Sequence, residues 1–204
     1  MPLQNRVQPD GQIIAHPARG TFTGNRGILH TADRQMGAAL WKHRAWICCT
    51  LDWQGRKRTV MTGRNWTELF FLDEAVALAA GHRPCAYCRR ADYARYCTAW
   101  AGAYGTRNTA PQMDAALHRA RTIPGARALR HVMHDSDALP DGAMILHGQQ
   151  PHLIAGAQVH PFTPAGYSAP SARPSGRAIC LTPQPNLDVL AAGYSPKLHH
   201  SFGT

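Results

Sequence analysis

Residues 46–53 run Trp-Ile-Cys-Cys-Thr-Leu-Asp-Trp and repeat with a period of two. Ile47, Cys49, Leu51 and Trp53 fall on one face of a strand, and Trp46, Cys48, Thr50 and Asp52 on the other. Gln54-Gly55 supplies a turn, and residues 56–61, which carry Arg56, Lys57 and Arg58, read as a basic return strand, so a hairpin is predicted. Upstream, residues 1–27 are polar and rich in Gly, Pro and Arg, which predicts an extended, loop-like lead-in. An ordered element starts near residues 28–30, and a short helix is expected over 33–40.

Residues 68–72, apolar after Glu68, read as a short strand. Asp73 predicts the cap of a helix running to Ala80, with Gly81 as its stop. A longer helix is expected over about 88–103, with Tyr93, Cys97, Trp100 and Tyr104 as its apolar stripe. Residues 112–120 predict one more short helix. Beyond Leu139 the period returns to two, giving strands over 143–147, 152–155 and 158–162, a Pro/Ser/Gly loop over 163–176 and a strand over 177–181. A short helix over 186–192 ends at Gly193. The pattern predicts an α+β fold: a knuckle, hairpin and helix module over 1–108, followed by a mostly antiparallel β half over 109–204 packed against it.

With 204 residues the chain suits one domain or two small ones sharing a core. No apolar run approaches the roughly 18 residues of a membrane span, and the first ten residues lack the apolar segment of a signal peptide. A cytoplasmic protein without a membrane partner is expected. Charge is unevenly spread: of a net +10, residues 1–108 hold 15 Lys/Arg against 7 Asp/Glu, and the remainder 7 against 5. Arg outnumbers Lys 19 to 3, which suits bidentate contacts to phosphate and predicts a nucleic-acid partner, DNA first, for the basic half. Arg56, Arg58, Arg83, Arg89 and Arg90 are the candidate phosphate contacts, and Trp53 and Trp66 are candidates for stacking on unpaired bases or for the core.

Six cysteines in a reducing compartment argue for metal or core roles over disulfides. Cys85-Ala-Tyr-Cys88 has knuckle spacing, and a helix rather than a strand precedes it, which favours zinc over thioredoxin-like redox use. Its thiols sit at the start of the next helix, beside Arg83, Arg89 and Arg90, where the thiolate is favoured. Zinc takes four tetrahedral nitrogen or sulfur ligands. The predicted set is Cys85, Cys88, Cys49 and His30, with His43, His82 and Cys48 as alternatives for the fourth place; Cys97 and Cys180 fall on packing faces.

The stretch Glu68-Leu-Phe-Phe-Leu-Asp-Glu-Ala-Val-Ala-Leu-Ala-Ala-Gly-His-Arg-Pro-Cys-Ala-Tyr-Cys-Arg-Arg90 resembles the zinc-binding module of Ada-type methylphosphotriester DNA repair proteins, related forms of which are appended to some nucleases. In that family four cysteine thiolates bind zinc, and one of the first pair accepts a methyl group from DNA. Cys85 and Cys88 match the second pair. The family spaces its first pair Cys-x-x-x-Cys, whereas Cys48 and Cys49 are adjacent. The remainder, including residues 24–30 and 193–199, resembles a bacterial family and brings no activity with it.

The leading expectation is therefore a zinc-binding protein that interacts with nucleic acid in DNA repair or processing. Two alternatives stand beside it: a zinc-dependent hydrolase or nuclease, and a structural zinc module in a protein–protein adaptor. For the enzyme, His30 is a candidate base, as is His118, which lies one helical turn from Asp114, the spacing at which a carboxylate orients an imidazole. His131, His134 and Asp135 also cluster, with a solvated face as the simpler reading. No Gly-rich phosphate loop, Gly-x-Ser-x-Gly elbow or His-Glu-x-x-His helix is present.

Overall fold

The computed structural model describes residues 1–57, 59–63, 65–126 and 128–203. Its elements are β1 (Gln4–Val7), β2 (Ile13–Ala15), β3 (Phe22–Asn25), β4 (Ile47–Thr50), β5 (Leu69–Phe71), α1 (Glu74–Ala79), β6 (Arg83–Pro84), α2 (Arg90–Tyr104), α3 (Ala110–Arg121), β7 (Val132–Asp135), β8 (Met144–His147), β9 (Gln150–Ala155), β10 (Gln158–Thr163), β11 (Gly166–Tyr167), β12 (Ser171–Ala172), β13 (Arg177–Cys180) and α4 (Gln184–Ala191). A 3-10 turn over Ser136–Ala138 follows β7. The architecture is α+β, with one sheet in the order β2-β1-β5-β3-β4-β6 and a second, antiparallel one in the order β11-β10-β9-β8-β13-β7, where β12 also pairs with β10. No helix among the described residues is long and apolar enough to cross a membrane.

Three elements depart from the sequence pattern. Residues 1–27 are not a loop: β1, β2 and β3 take up half the strands of the first sheet. Each is three or four residues long and places few apolar side chains inward, so alternation has no length over which to show. The expected return strand over 56–61 does not form among its described residues. Both edges of β4 are already occupied, by β3 antiparallel and by β6 parallel, so no edge remains for a hairpin partner. The helix expected over 33–40 is absent too. Arg34 has φ 59°, and a Cβ at Gly37 would stand 2.9 Å from the Leu29 carbonyl oxygen, so the chain folds back closely on itself there.

The helices follow their caps. Asp73 accepts a hydrogen bond from the Val76 amide at 3.0 Å, and Gly81 takes φ 81° to end α1. α2 buries Trp100 of the predicted stripe and packs Tyr93 and Cys97 partly buried against the same cluster, but the buried face extends to Asp92, Tyr96 and Ala99, and Tyr104 is exposed. Asp92 is tolerated inside because Arg89, Arg95 and Lys197 surround it.

Two apolar clusters fill the interior. One joins Val7, Cys48, Leu69, Phe71 and α1 to Met144, Leu153, Phe162 and Leu181; the other joins Tyr96 and Trp100 to Met113, Ile145, Val159 and Leu190. The first and second halves of the chain thus contribute to both clusters. The C-terminal segment closes over α1. The Tyr194 hydroxyl donates to Glu74 at 2.6 Å, the Lys197 amide donates to Glu74 at 2.9 Å, and the His199 amide donates to Asp73 at 3.1 Å.

Candidate metal centre

The register of three strands builds the centre. β4 pairs with β3 so that Cys49 stands opposite Thr23 and Ile47 opposite Asn25, which puts these four side chains on one face of the sheet. Cys48, opposite Gly24, faces the core. On the other edge of β4, β6 runs parallel with Ile47 beside Arg83 and Cys48 beside Pro84. One residue further, the Cys85 amide donates to the Cys48 carbonyl at 2.9 Å, which brings Cys85 alongside Cys49. The chain then turns, the Arg89 amide donates to the Cys85 carbonyl at 3.1 Å, and Cys88 returns to the same spot as α2 begins.

The result is a group of three sulfurs, Sγ of Cys49, Cys85 and Cys88, all within 4.8 Å of one another. In a tetrahedral thiolate site with Zn–S near 2.3 Å, sulfurs stand about 3.8 Å apart, so the three are poised for one ion. The Tyr87 amide points at Cys85 Sγ at 3.4 Å, and the Cys88 and Thr50 amides bond Cys85 and Cys88 in turn. Backbone N–H donors directed at sulfur stabilise thiolate charge and fix the ligands before a metal arrives.

The same crowding governs the protons. Hydrogen bonds from Cys49 and Cys88 hold the Cys85 thiol far below its usual range, at about 2. Cys49 is driven sharply upward, first by its hydrogen bonds to Cys85 and Cys88 and then by burial. For Cys88 a hydrogen bond from Cys49 lowers the value, but its hydrogen bond with Cys85 and burial outweigh this and the net shift is upward. One negative charge is readily held on Cys85, and further charges at this spacing call for a cation among the sulfurs.

His30 is not in this group. Its Nδ1 lies 2.7 Å from Thr67 Oγ1, on the wall of a cleft. His82 is fully buried, with Arg26 Nε donating to its Nε2 at 3.3 Å and the Phe71 and Trp46 rings against it at 4.7 and 5.3 Å. Cys48 Sγ accepts from Arg89 Nη1 at 3.3 Å, on the core side of the sheet. His43 lines the cleft with His30. Among the described residues, then, no fourth protein ligand joins the three sulfurs.

The proposed phosphate contacts divide. Arg83 and Arg89 are spent on internal partners. Arg83 makes a bidentate, buried pair with Asp114, Nε to Oδ1 at 2.7 Å and Nη2 to Oδ2 at 2.8 Å. Arg89 is buried between Glu74 and Asp92, each 2.7 Å from its Nη2. The carboxylates compensate the buried charge; Asp92 lies three residues from Arg89 on the same helix start, whereas Asp114 and Glu74 lie too far away in sequence for a local reading to pair them. Arg56, Lys57 and Arg90 are exposed, and Arg58 lies outside the described residues. The Asp114–His118 dyad does not form, since Arg83 holds both Asp114 oxygens. His118 instead sits edge-on to Trp41 and Trp46, its pKa lowered by burial and by Arg121 and Arg44. His134 and Asp135 lie on strand β7 rather than on a helix.

Two features escaped the sequence reading. Trp53 packs on Tyr87 with ring centroids 5.4 Å apart, drawing the 53–57 turn against the knuckle; Tyr87 remains 58% exposed. Both residues flank predicted ligands, and that adjacency was the available signal. The second is a pair of buried arginines on the Trp46 ring, with Arg26 at 4.2 Å and Arg121 at 3.7 Å from its centroid. Nothing in the local pattern marks either arginine as internal. No protein family, curated protein or solved structure matches the chain.

Proposed function

We propose that Cys49, Cys85 and Cys88 bind one zinc ion whose fourth position takes an exchangeable ligand, and that the rim of this centre docks on nucleic acid. The observation carrying the first part is the convergence of three sulfurs on one point, with no fourth protein donor among the described residues. A soft, all-thiolate set selects zinc or copper(I) over magnesium, calcium or manganese. Zinc is the fit for an open, non-redox site with ligands on a rigid strand pair and a helix start. The resemblance of residues 68–90 to the Ada-type zinc module points the same way.

Support for nucleic acid is the rim itself. Arg56, Lys57 and Arg90 are exposed, and Tyr87 offers an exposed ring beside the ligands. Cations for the backbone and an aromatic face for an unpaired base are the elements of sequence-tolerant single-strand binding. The open position also favours a second reading, a zinc-dependent hydrolase, because catalytic zinc keeps one site for water or substrate. A closed structural centre would need one more protein donor.

Titration of the zinc-loaded chain with single-stranded DNA across a salt series tests the rim. Affinity is expected to fall steeply with salt, and the triple variant Arg56→Glu, Lys57→Glu, Arg90→Glu to bind weakly with a slope reduced by about 2, at roughly 0.7 per phosphate neutralised. Undiminished binding by that variant at every salt concentration refutes the rim; a single-turnover hydrolysis assay on the same material separates the enzyme reading.

A further inference from the structure

The three converging sulfurs lie at the protein surface. Cys49 and Cys88 are half-buried, and Ala86 and Tyr87, between the knuckle cysteines, are exposed, whereas Cys85 is 8% exposed. The remaining cysteines stand apart from this group. Cys48 is on the core side of β4, and Cys97 and Cys180 belong to the second apolar cluster. A small solute thus reaches the ligand set through Cys49 and Cys88.

Zinc has no redox chemistry of its own, so the electrons that such a centre can lose are those of its sulfurs. All three sulfurs are within 4.8 Å of one another, close enough for side-chain rotation to join two of them once no ion stands between. The backbone decides which two. Cys49 and Cys85 are fixed on neighbouring strand positions, because the Cys85 amide bonds the Cys48 carbonyl. Cys85 and Cys88 share one turn between β6 and α2, closed by the Arg89 amide on the Cys85 carbonyl, so joining them leaves the sheet pairing intact. Two cysteines spaced C-x-x-C at a helix start are also the arrangement in which thiolate forms and exchanges readily. With three sulfur ligands among the described residues, closing the knuckle leaves Cys49 alone, and a single thiolate does not hold the ion.

The geometry points to an oxidation switch at this centre: a hydroperoxide converts Cys85 and Cys88 to a disulfide, and the zinc is released. The switch rests on the zinc reading given above and supplies its regulation. The Cys88 thiolate, the more accessible of the knuckle pair, attacks one peroxide oxygen. The O–O bond breaks, the other oxygen leaves as hydroxide or alkoxide and takes a proton from water, and Cys88 becomes a sulfenic acid. The Cys85 thiolate then attacks the Cys88 sulfur; the S–O bond breaks, hydroxide leaves and the S–S bond forms. The peroxide gains one electron pair, and the two sulfurs together supply it. A dithiol reductant followed by zinc reverses the change.

Treatment of the full zinc-loaded chain with hydrogen peroxide tests this, with released zinc read by a chromogenic chelator, free thiols by titration and the linkage by peptide mass. One zinc should leave for every two thiols lost, and the peptide holding Cys85 and Cys88 should be lighter by two hydrogens. Dithiothreitol and added zinc should restore both. Cys97→Ser should respond as the natural chain does. Cys49→Ala, expected to bind no zinc, should still form the same knuckle disulfide, so the disulfide is judged apart from the metal. A natural chain that carries no zinc before peroxide is added refutes the metal reading instead. Zinc retained while the knuckle thiols are lost, zinc released with sulfinic acids and no disulfide, a disulfide linking Cys97, or no knuckle disulfide in Cys49→Ala would overturn the switch.

Discussion

Cys48 and Cys49 are consecutive in β4, and their sulfurs lie on opposite faces of one sheet. Cys49 joins Cys85 and Cys88, while Cys48 is turned into the core, where Arg89 Nη1 donates to it at 3.3 Å. Through Arg89 the core-side sulfur is connected to Glu74, and through Glu74 to the C-terminal Tyr194 and Lys197. The strand therefore couples the metal face to the packing that closes the fold.

Substituting the two cysteines should separate these roles. Cys49→Ala is expected to lose zinc. Cys48→Ala should keep a full equivalent of zinc and lose about 1 kcal/mol of stability, typical for removal of a buried group. Metal analysis with urea unfolding of both variants checks this, and equal zinc content in the two would break the assignment of ligands.

The Arg83–Asp114 pair ties β6, and hence Cys85, to α3. Asp114→Ala leaves a buried guanidinium without its partner and should cost about 3–5 kcal/mol. Arg83→Ala should be comparably destabilising, while neither change flattens the salt dependence of nucleic-acid binding. A folded Arg83→Ala protein with a flattened salt slope would restore Arg83 to the phosphate surface.

Acid should unfold this protein earlier than its carboxylates alone require. Burial, then the charges of Arg26 and Arg121, lower the His82 pKa well below its ordinary 6.5. Above pH 6.5 the ring is neutral in both states and costs nothing. Below it the unfolded chain binds a proton that the native state refuses, so stability falls as pH falls, by about 1.4 kcal/mol per pH unit for this one group. Unfolding free energies measured between pH 7 and 5 should show this slope, and His82→Gln should lower it by about one proton. A slope unchanged in that variant assigns the acid sensitivity elsewhere.

Legibility in the sequence followed locality. The Asp73 cap, the Gly81 stop and the Cys85/Cys88 knuckle are short-range devices, and each appears where the spacing predicts. Strands β8, β9, β10 and β13 were visible because a two-residue period persists across short turns. What escaped was long-range. β4 pairs with β3 from more than twenty residues upstream, not with the basic stretch that follows it. Asp114 claims Arg83 across 31 positions, which turned a presumed surface cation into a core one. Strand parity separates Cys48 from Cys49 but does not say which faces the metal, a matter that the pairing of β4 with β6 decides; His30, a candidate by residue type, lies on the cleft wall.

Zinc K-edge X-ray absorption on the purified, zinc-loaded chain tests the centre most directly. The proposed centre predicts one zinc with three sulfurs at about 2.3 Å and one lighter donor at about 2.0–2.2 Å, lost on Cys49→Ala. Four sulfurs, an imidazole scattering signature in the fourth place, or a chain that folds natively and retains no zinc would contradict it.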